Sequence, residues 1–293
     1  MNRAGRFAPS PSGELHVGNL RTAILAWLFA RSTGRDFLLR VEDLDRARAG
    51  AEAEQLRDLA AIGVTWDGAV VRQTDRGEVY GEAIARLTAA GLTYECFCTR
   101  REIQEAPSAP HAPQGAYPGT CRNLDPAEVE FRRSNRPAAI RLRAEVAEYT
   151  VRDVLHGEFT GVVDDFVLRR NDGVTAYNLA VVVDDAAQGI DQVVRGDDLL
   201  SSTPRQAYLS SLLHMPVPEY AHVPLVVNAD GARLAKRDGA VTLADLSREG
   251  VAAAGVRDLI LQSLGLPGGT LESALSAFRT LDLPREPWVW RRL

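Results

Sequence analysis

RFAPSPSGELHVGNLRTAILAWLFARSTGRDFLLRVEDLD, the stretch from Arg6 to Asp45, decides the fold. An apolar opening (Phe7, Ala8) runs into a Pro/Ser/Gly turn from Pro9 to Gly13. A helix is predicted from about Gly18 to Ser32, and a second strand from Phe37 to Val41. Together they make one βαβ unit. A parallel crossover of this size brings the carboxyl end of the first strand and the amino end of the helix to one mouth, where backbone N–H groups and the helix dipole favour phosphate. His16 and Asn19 fall at that mouth. The turn holds neither GxGxxG nor GxxxxGK[ST], so neither a dinucleotide fingerprint nor a P-loop accounts for it.

Composition bounds the rest. A chain of 293 residues is long enough for a sizeable core and two or three subdomains. No apolar run approaches the roughly 18 residues of a membrane span, and the N-terminus lacks a signal-peptide layout, so a cytoplasmic protein is expected. A net charge of −5 argues against coating of nucleic acid but leaves room for a locally basic face. Of 34 basic residues 33 are arginine, and the sole lysine is Lys236. Such a position suits a site that needs a compact ammonium on a flexible stem, which a planar guanidinium does not mimic.

Beyond the first unit, Arg48 to Ile62 and Tyr80 to Ala90 have helical patterns, the second stopped by Gly91. Three cysteines follow, Cys96, Cys98 and Cys121, an odd number over 26 residues, which fits metal ligation better than disulfides. Zinc takes four tetrahedral ligands, and His111 and Tyr117 are candidates for the fourth, with histidine favoured by general coordination chemistry. Such a metal would be structural, clipping a Pro/Ala/Gly-rich stretch from Ala106 to Gly119. Alternating runs at Ile140–Arg143, Tyr149–Val154 and Phe159–Val163 predict antiparallel strands within one inserted lobe. Asn171-Asp172-Gly173 predicts a hairpin, after which a strand returns toward the central fold.

That return carries a second chemical block, Tyr177-Asn178-Leu179-Ala180-Val181-Val182-Val183-Asp184-Asp185, whose continuous apolar run suits a buried element. Val193-Val194-Arg195-Gly196-Asp197-Asp198-Leu199-Leu200 then reads as strand and turn, followed by a helix with Pro204 near its first position. The third block runs from Val223 to Asp238. Its Asn228-Ala229-Asp230-Gly231 predicts a tight turn ahead of Arg233-Leu234-Ala235-Lys236-Arg237. Helical patterns at Leu243–Glu249, Val256–Leu264 and Leu271–Phe278 close the chain.

In these blocks the sequence resembles class I aminoacyl-tRNA synthetases, and within them the glutamyl subgroup. The opening matches that subgroup's RFAPSPTG strand, and His16-Val17-Gly18-Asn19 matches its His-x-Gly-His signature except that Asn19 replaces the second histidine. Asparagine can still donate a hydrogen bond but carries no charge. Arg233-Leu234-Ala235-Lys236-Arg237 matches the Lys-Met-Ser-Lys-Ser loop only in part, keeping the second lysine as Lys236. The resemblance implies an α/β, Rossmann-like class I catalytic domain interrupted by a zinc-containing lobe, with a short helical C-terminal region and no anticodon-binding domain. The expected divisions are 1–92 and 175–238 for the two halves of the catalytic domain, 93–174 for the lobe and 239–293 for the helical region.

The resemblance also implies roles. His16, Asn19 and Lys236 would be catalytic, and His16, Gly18, Asn19, Arg233, Leu234, Ala235, Lys236 and Arg237 would bind ATP. Glutamate would be held by Arg6, Phe7, Ala8, Pro9, Ser10, Glu42, Tyr177 and Arg195. Here guanidinium groups bind carboxylate and Glu42 receives the amine. The Cys-x-Cys and Tyr-x-x-x-Cys spacing of the subgroup's short paralogues selects Cys96, Cys98, Tyr117 and Cys121 as ligands of one structural Zn2+. Those paralogues activate L-glutamate with ATP and Mg2+ and esterify it onto the queuosine of tRNA(Asp), so these are the expected substrates of a monomer. The alternatives are charging of a tRNA 3′ end or a nucleotidylyltransferase of the same fold.

Overall fold

In the computed structural model, residues 3–105, 117–232, 234 and 241–291 are described. The leading unit is β1 (Ala4–Phe7), α1 (Val17–Ser32) and β2 (Asp36–Val41), with β1 and β2 parallel. Then come α2 (Ala51–Ala61), β3 (Val71–Arg72) and α3 (Gly77–Ala89). The next segments are β4 (Thr93–Cys96), α4 (Arg100–Glu105), α5 (Pro126–Asn135), β5 (Ala139–Leu142), β6 (Glu148–Asp153), β7 (Gly157–Val162) and β8 (Val167–Arg169). The chain returns through α6 (Tyr177–Ala187), β9 (Ile190–Gly196), α7 (Thr203–Leu212), β10 (Glu219–Val223) and β11 (Val226–Val227). It closes with α8 (Leu243–Arg248), α9 (Ala253–Ser263), α10 (Leu271–Ala277) and β12 (Trp288–Val289).

The central sheet has the order β3-β2-β1-β9-β10-β6-β7, with β3, β2, β1, β9 and β10 parallel. Strand order therefore runs outward in both directions from the β1/β9 junction. In an open α/β sheet this is the switch point, where loops at the carboxyl ends part and leave a crevice. α1 is buried on nearly every side because it lies between this sheet and the C-terminal helices, and Phe29 meets Phe278 with ring centroids 5.4 Å apart. Gly5 permits the close approach of β1: a Cβ there would lie 2.9 Å from the Cβ of Ala30 on α1.

Three expectations are corrected. The apolar run Leu179–Val183 is buried but helical, lying within α6 rather than in a returning strand. Apolar periodicity does not separate a short buried helix from a buried strand. The alternating runs also do not all belong to one lobe. β4, β5 and β8 form a separate antiparallel sheet, whereas the β6–β7 hairpin extends the central sheet through a bridge between Asp153 and Tyr220. Finally, β12 pairs in parallel with β11, a contact the helical reading of the C-terminal region did not include.

Gly5→Ala is expected to destabilise the fold by about 1–3 kcal/mol, because α1 cannot retreat from the sheet without unpacking. Gly81→Ala, in the exposed interior of α3 with open space around it, is expected to stabilise it by about 0.5–1 kcal/mol. Urea unfolding monitored by circular dichroism measures both.

Candidate active site

The crevice at the β1/β9 junction is a cavity of about 770 Å³. Arg6, Phe7, Ala8, Pro9, Ser10, Glu42, Tyr177 and Arg195 all line it, as do His16, Gly18, Asn19 and Leu234. Arg233, Ala235, Lys236 and Arg237 lie outside the described residues, as does His111. Leu234 is buried and its N–H donates to the Val226 carbonyl, while the Val17 N–H donates to the Val241 carbonyl. Both flanks of 235–240 are thus fastened beside the amino end of α1.

That amino end is built by the signature residues themselves. His16 is the N-cap, with Nδ1 accepting from the Gly18 N–H at 3.1 Å, and Asn19 Oδ1 accepts from the His16 N–H at 3.2 Å. Each side chain so satisfies a helix donor that would otherwise be orphaned. Because Nδ1 is an acceptor, a neutral His16 carries its proton on Nε2. A Cβ at Gly18 would approach within 3.0 Å of the His16 ring, so glycine leaves the imidazole its place. The Pro9–Gly13 turn is held by Gln55, whose amide donates to the carbonyls of Ser10 and Gly13.

Behind Arg6 and Glu42 of the cavity wall lies a run of alternating charges. Arg6 Nε reaches Asp185 Oδ1 at 3.3 Å, and Arg40 gives Nη1 to the same oxygen at 2.7 Å and Nη2 to Glu42 Oε1 at 3.3 Å. Arg40 Nε lies 3.7 Å from Asp184, which also accepts from Gln73, Arg76 and Tyr80. Burial opposes ionisation of Asp185, but Arg6 and Arg40 outweigh it and hold its carboxyl below the usual range. For Glu42 burial prevails over Arg40 and Arg6, and its carboxyl is raised. A ligand ammonium beside Glu42 would restore the carboxylate form.

On the opposite wall Arg195 is held by three acceptors: His222 Nε2 from Nε at 3.0 Å, Thr203 Oγ1 from Nη2 at 2.8 Å and Tyr177 Oη from Nη1 at 3.5 Å. Arg40, Asp184, Thr203, His222 and Asp153 were not singled out as site residues in the sequence. Arg40 left a signal, a charge inside the apolar run Phe37-Leu38-Leu39-Arg40-Val41; His222 left a comparable one inside β10.

In the lobe the three thiol sulfurs lie within 4.8 Å of one another, and the Tyr117 hydroxyl is 3.3 Å from Cys96 Sγ and 3.7 Å from Cys98 Sγ. The Cys121 N–H donates to that oxygen at 2.8 Å, and the Arg141 guanidinium sits 3.6 Å from the ring centroid. Burial and the Cys96 thiol raise the Tyr117 phenol, and the Cys121 N–H opposes them only in part, so an ion bound there would displace the phenol proton. The hydrogen bond from Cys96 pulls the Cys121 thiol down to about 6. These donors fit one tetrahedral, thiophilic ion.

The family described as tRNA synthetases class I (E and Q), catalytic domain, matches residues 4–285. The chain is 66% identical to a glutamyl-Q tRNA(Asp) synthetase of Nocardia farcinica, over 98% of this chain and 92% of the relative. The chain belongs to the glutamyl-Q tRNA(Asp) synthetase family. Membership makes it a class I ligase. A glutamyl-Q tRNA(Asp) synthetase of Cutibacterium acnes is 52% identical over 90% of this chain and 76% of its own length. Among solved structures, a glutamate tRNA ligase from Elizabethkingia meningosepticum in complex with its amino acid superposes with a TM-score of 0.84 at 27% identity. That match covers 99% of this chain and 67% of the ligase. No helix of the described residues is long and apolar enough to cross a membrane.

Arg40→Met is expected to destabilise the fold by about 3–5 kcal/mol, since Glu42 would lose its hydrogen-bonded guanidinium and Asp185 and Asp184 would keep only Arg6 and Arg76 against three buried negative charges. Burial already raises the Glu42 carboxyl, and losing Arg40, the largest influence that lowers it, would raise it further above its unfolded value. Stability is in that case retained at low pH and lost as pH rises, so the deficit should be larger near about pH 8 than near about pH 5. Chemical denaturation across that range measures it.

Proposed function

We propose that the chain activates L-glutamate with ATP to glutamyl-adenylate and transfers the glutamyl group to the queuosine of tRNA(Asp). The supporting observation is a single cavity that joins two guanidinium groups and a carboxylate to the capped amino end of α1. The names of the relatives support the acceptor. Arg6 and Arg195 take the side-chain carboxylate, Glu42 takes the ammonium, Tyr177 closes the wall, and Phe7, Ala8, Pro9 and Ser10 form the adjoining floor and rim.

The α-carboxylate of glutamate attacks the α-phosphorus of ATP; the bond to the bridging oxygen breaks and pyrophosphate leaves. His16 offers Nε2–H, Asn19 its amide hydrogens and Lys236 its ammonium to the phosphate oxygens as charge builds. Mg2+ bound to the phosphates would neutralise part of their charge. In the second step a hydroxyl of the queuosine cyclopentenediol attacks the acyl carbon and AMP leaves, so no protein nucleophile takes part. The three free cysteines support a cytoplasmic enzyme, for which a monomer suffices.

Labelled pyrophosphate should exchange into ATP when glutamate is present and tRNA is absent, and Lys236→Ala should slow that exchange about 100-fold. Labelled glutamate should then reach tRNA(Asp) that contains queuosine and fail to reach the same tRNA without it. Exchange that is independent of glutamate would instead support a nucleotidylyltransferase, and transfer to a tRNA 3′ end would support the charging alternative.

We further assign Cys96, Cys98, Tyr117 and Cys121 as ligands of one structural Zn2+, on the donor set described above. With an ion bound, Cys96 and Cys98 on one side and Tyr117 and Cys121 on the other would be cross-linked. Atomic absorption should find one zinc per chain, and Cys121→Ser should lose the metal and lower the melting temperature of the lobe.

A further inference from the structure

Arg195 carries five N–H groups, and the three directed to His222, Thr203 and Tyr177 leave one on each terminal nitrogen. Such a pair can meet a carboxylate in bidentate fashion only if the guanidinium plane is fixed. The bond that fixes it at Nε comes from His222 on β10, which is fully buried. His222 Nδ1 lies 2.7 Å from Asp153 Oδ2 at the end of β6, and the same oxygen accepts the His222 N–H at 3.0 Å. Asp153 therefore sets the tautomer: Nδ1 carries the proton and Nε2 presents its lone pair to Arg195.

We propose that His222, held by Asp153, is the positioning residue that aims Arg195 at the side-chain carboxylate of glutamate, so that the preference for an acid over an amide depends on the β6–β10 bridge. This deepens the function proposed above and rests on it. The imidazole must be neutral to accept from a guanidinium. The groups around it agree: burial and Arg195 disfavour the imidazolium, with His156 adding to them, and only Asp153 favours it. Thr203 Oγ1, 3.0 Å from His222 Nε2, and the stacked Tyr220 ring complete the surroundings.

The test compares His222→Asn with His222→Gln in glutamate-dependent pyrophosphate exchange, the wild-type protein being assayed first. Both amides can donate to Asp153, but only glutamine is long enough to present an oxygen to Arg195 Nε. Asparagine should raise KM for glutamate roughly 10–100-fold, the span of a lost hydrogen bond to a charged group. KM for ATP and kcat should stay within about threefold, and the preference for glutamate over glutamine should fall. Glutamine should recover most of the loss. His222→Phe, which fills the space without an acceptor, should repeat the asparagine result should the smaller side chain unfold the protein. Wild-type exchange with variants whose KM for glutamate and acid-over-amide preference match wild type would overturn the inference alone. Wild-type protein with no glutamate-dependent exchange would overturn the function it rests on, and the inference with it.

Discussion

One fully buried guanidinium, Arg40, faces three carboxylates, and the rest of the site is arranged around that fact. A buried cation unpaired is costly, and so is each of Asp184, Asp185 and Glu42 without it. Arg6 and Arg76 attach at the two ends of the run, through Asp185 and Asp184. Three positive groups thus answer three negative ones. In such a balanced row the free energy of displacing any one member is large, which gives the cavity wall a fixed geometry before any ligand arrives. Glu42 is the member whose carboxylate form is least well supported, and it is the one that reaches the cavity rim beside Arg6.

The sheet supplies the second constraint. At the β1/β9 junction the connections leave in opposite directions, so the carboxyl ends of β1 and β9 present Arg6 and Arg195 on either side of one crevice. The amino end of α1 faces the same crevice, and there structure and chemistry coincide. His16 and Asn19 cap the helix, and the bonds they make in doing so determine which of their remaining atoms can donate to an anion. A capping role and a phosphate-binding role are not rivals at these positions, since the first fixes the second.

Much of this was legible in the sequence because it is local. The βαβ unit, the turn at Asn228 and the cysteine spacing each follow from residues within a few positions of one another. The run in α6 was not, since a buried helix and a buried strand share an unbroken apolar pattern. The placement of the β6–β7 hairpin on the central sheet was also invisible, because alternation predicts a strand and says nothing of its partner. Arg40, Asp153 and His222 escaped for a related reason: each matters through a side chain 27 or more residues away, and only the fold makes them neighbours. A charge or imidazole inside an apolar strand was the one trace they left.

A crystal soaked with glutamate tests the central claim most directly. The side-chain carboxylate is expected at about 2.8 Å from nitrogens of Arg195 and Arg6 and the ammonium against Glu42, with the Arg40 contacts intact. A ligand bound elsewhere, or one in the crevice with Arg6, Glu42 and Arg195 turned away from it, would contradict it.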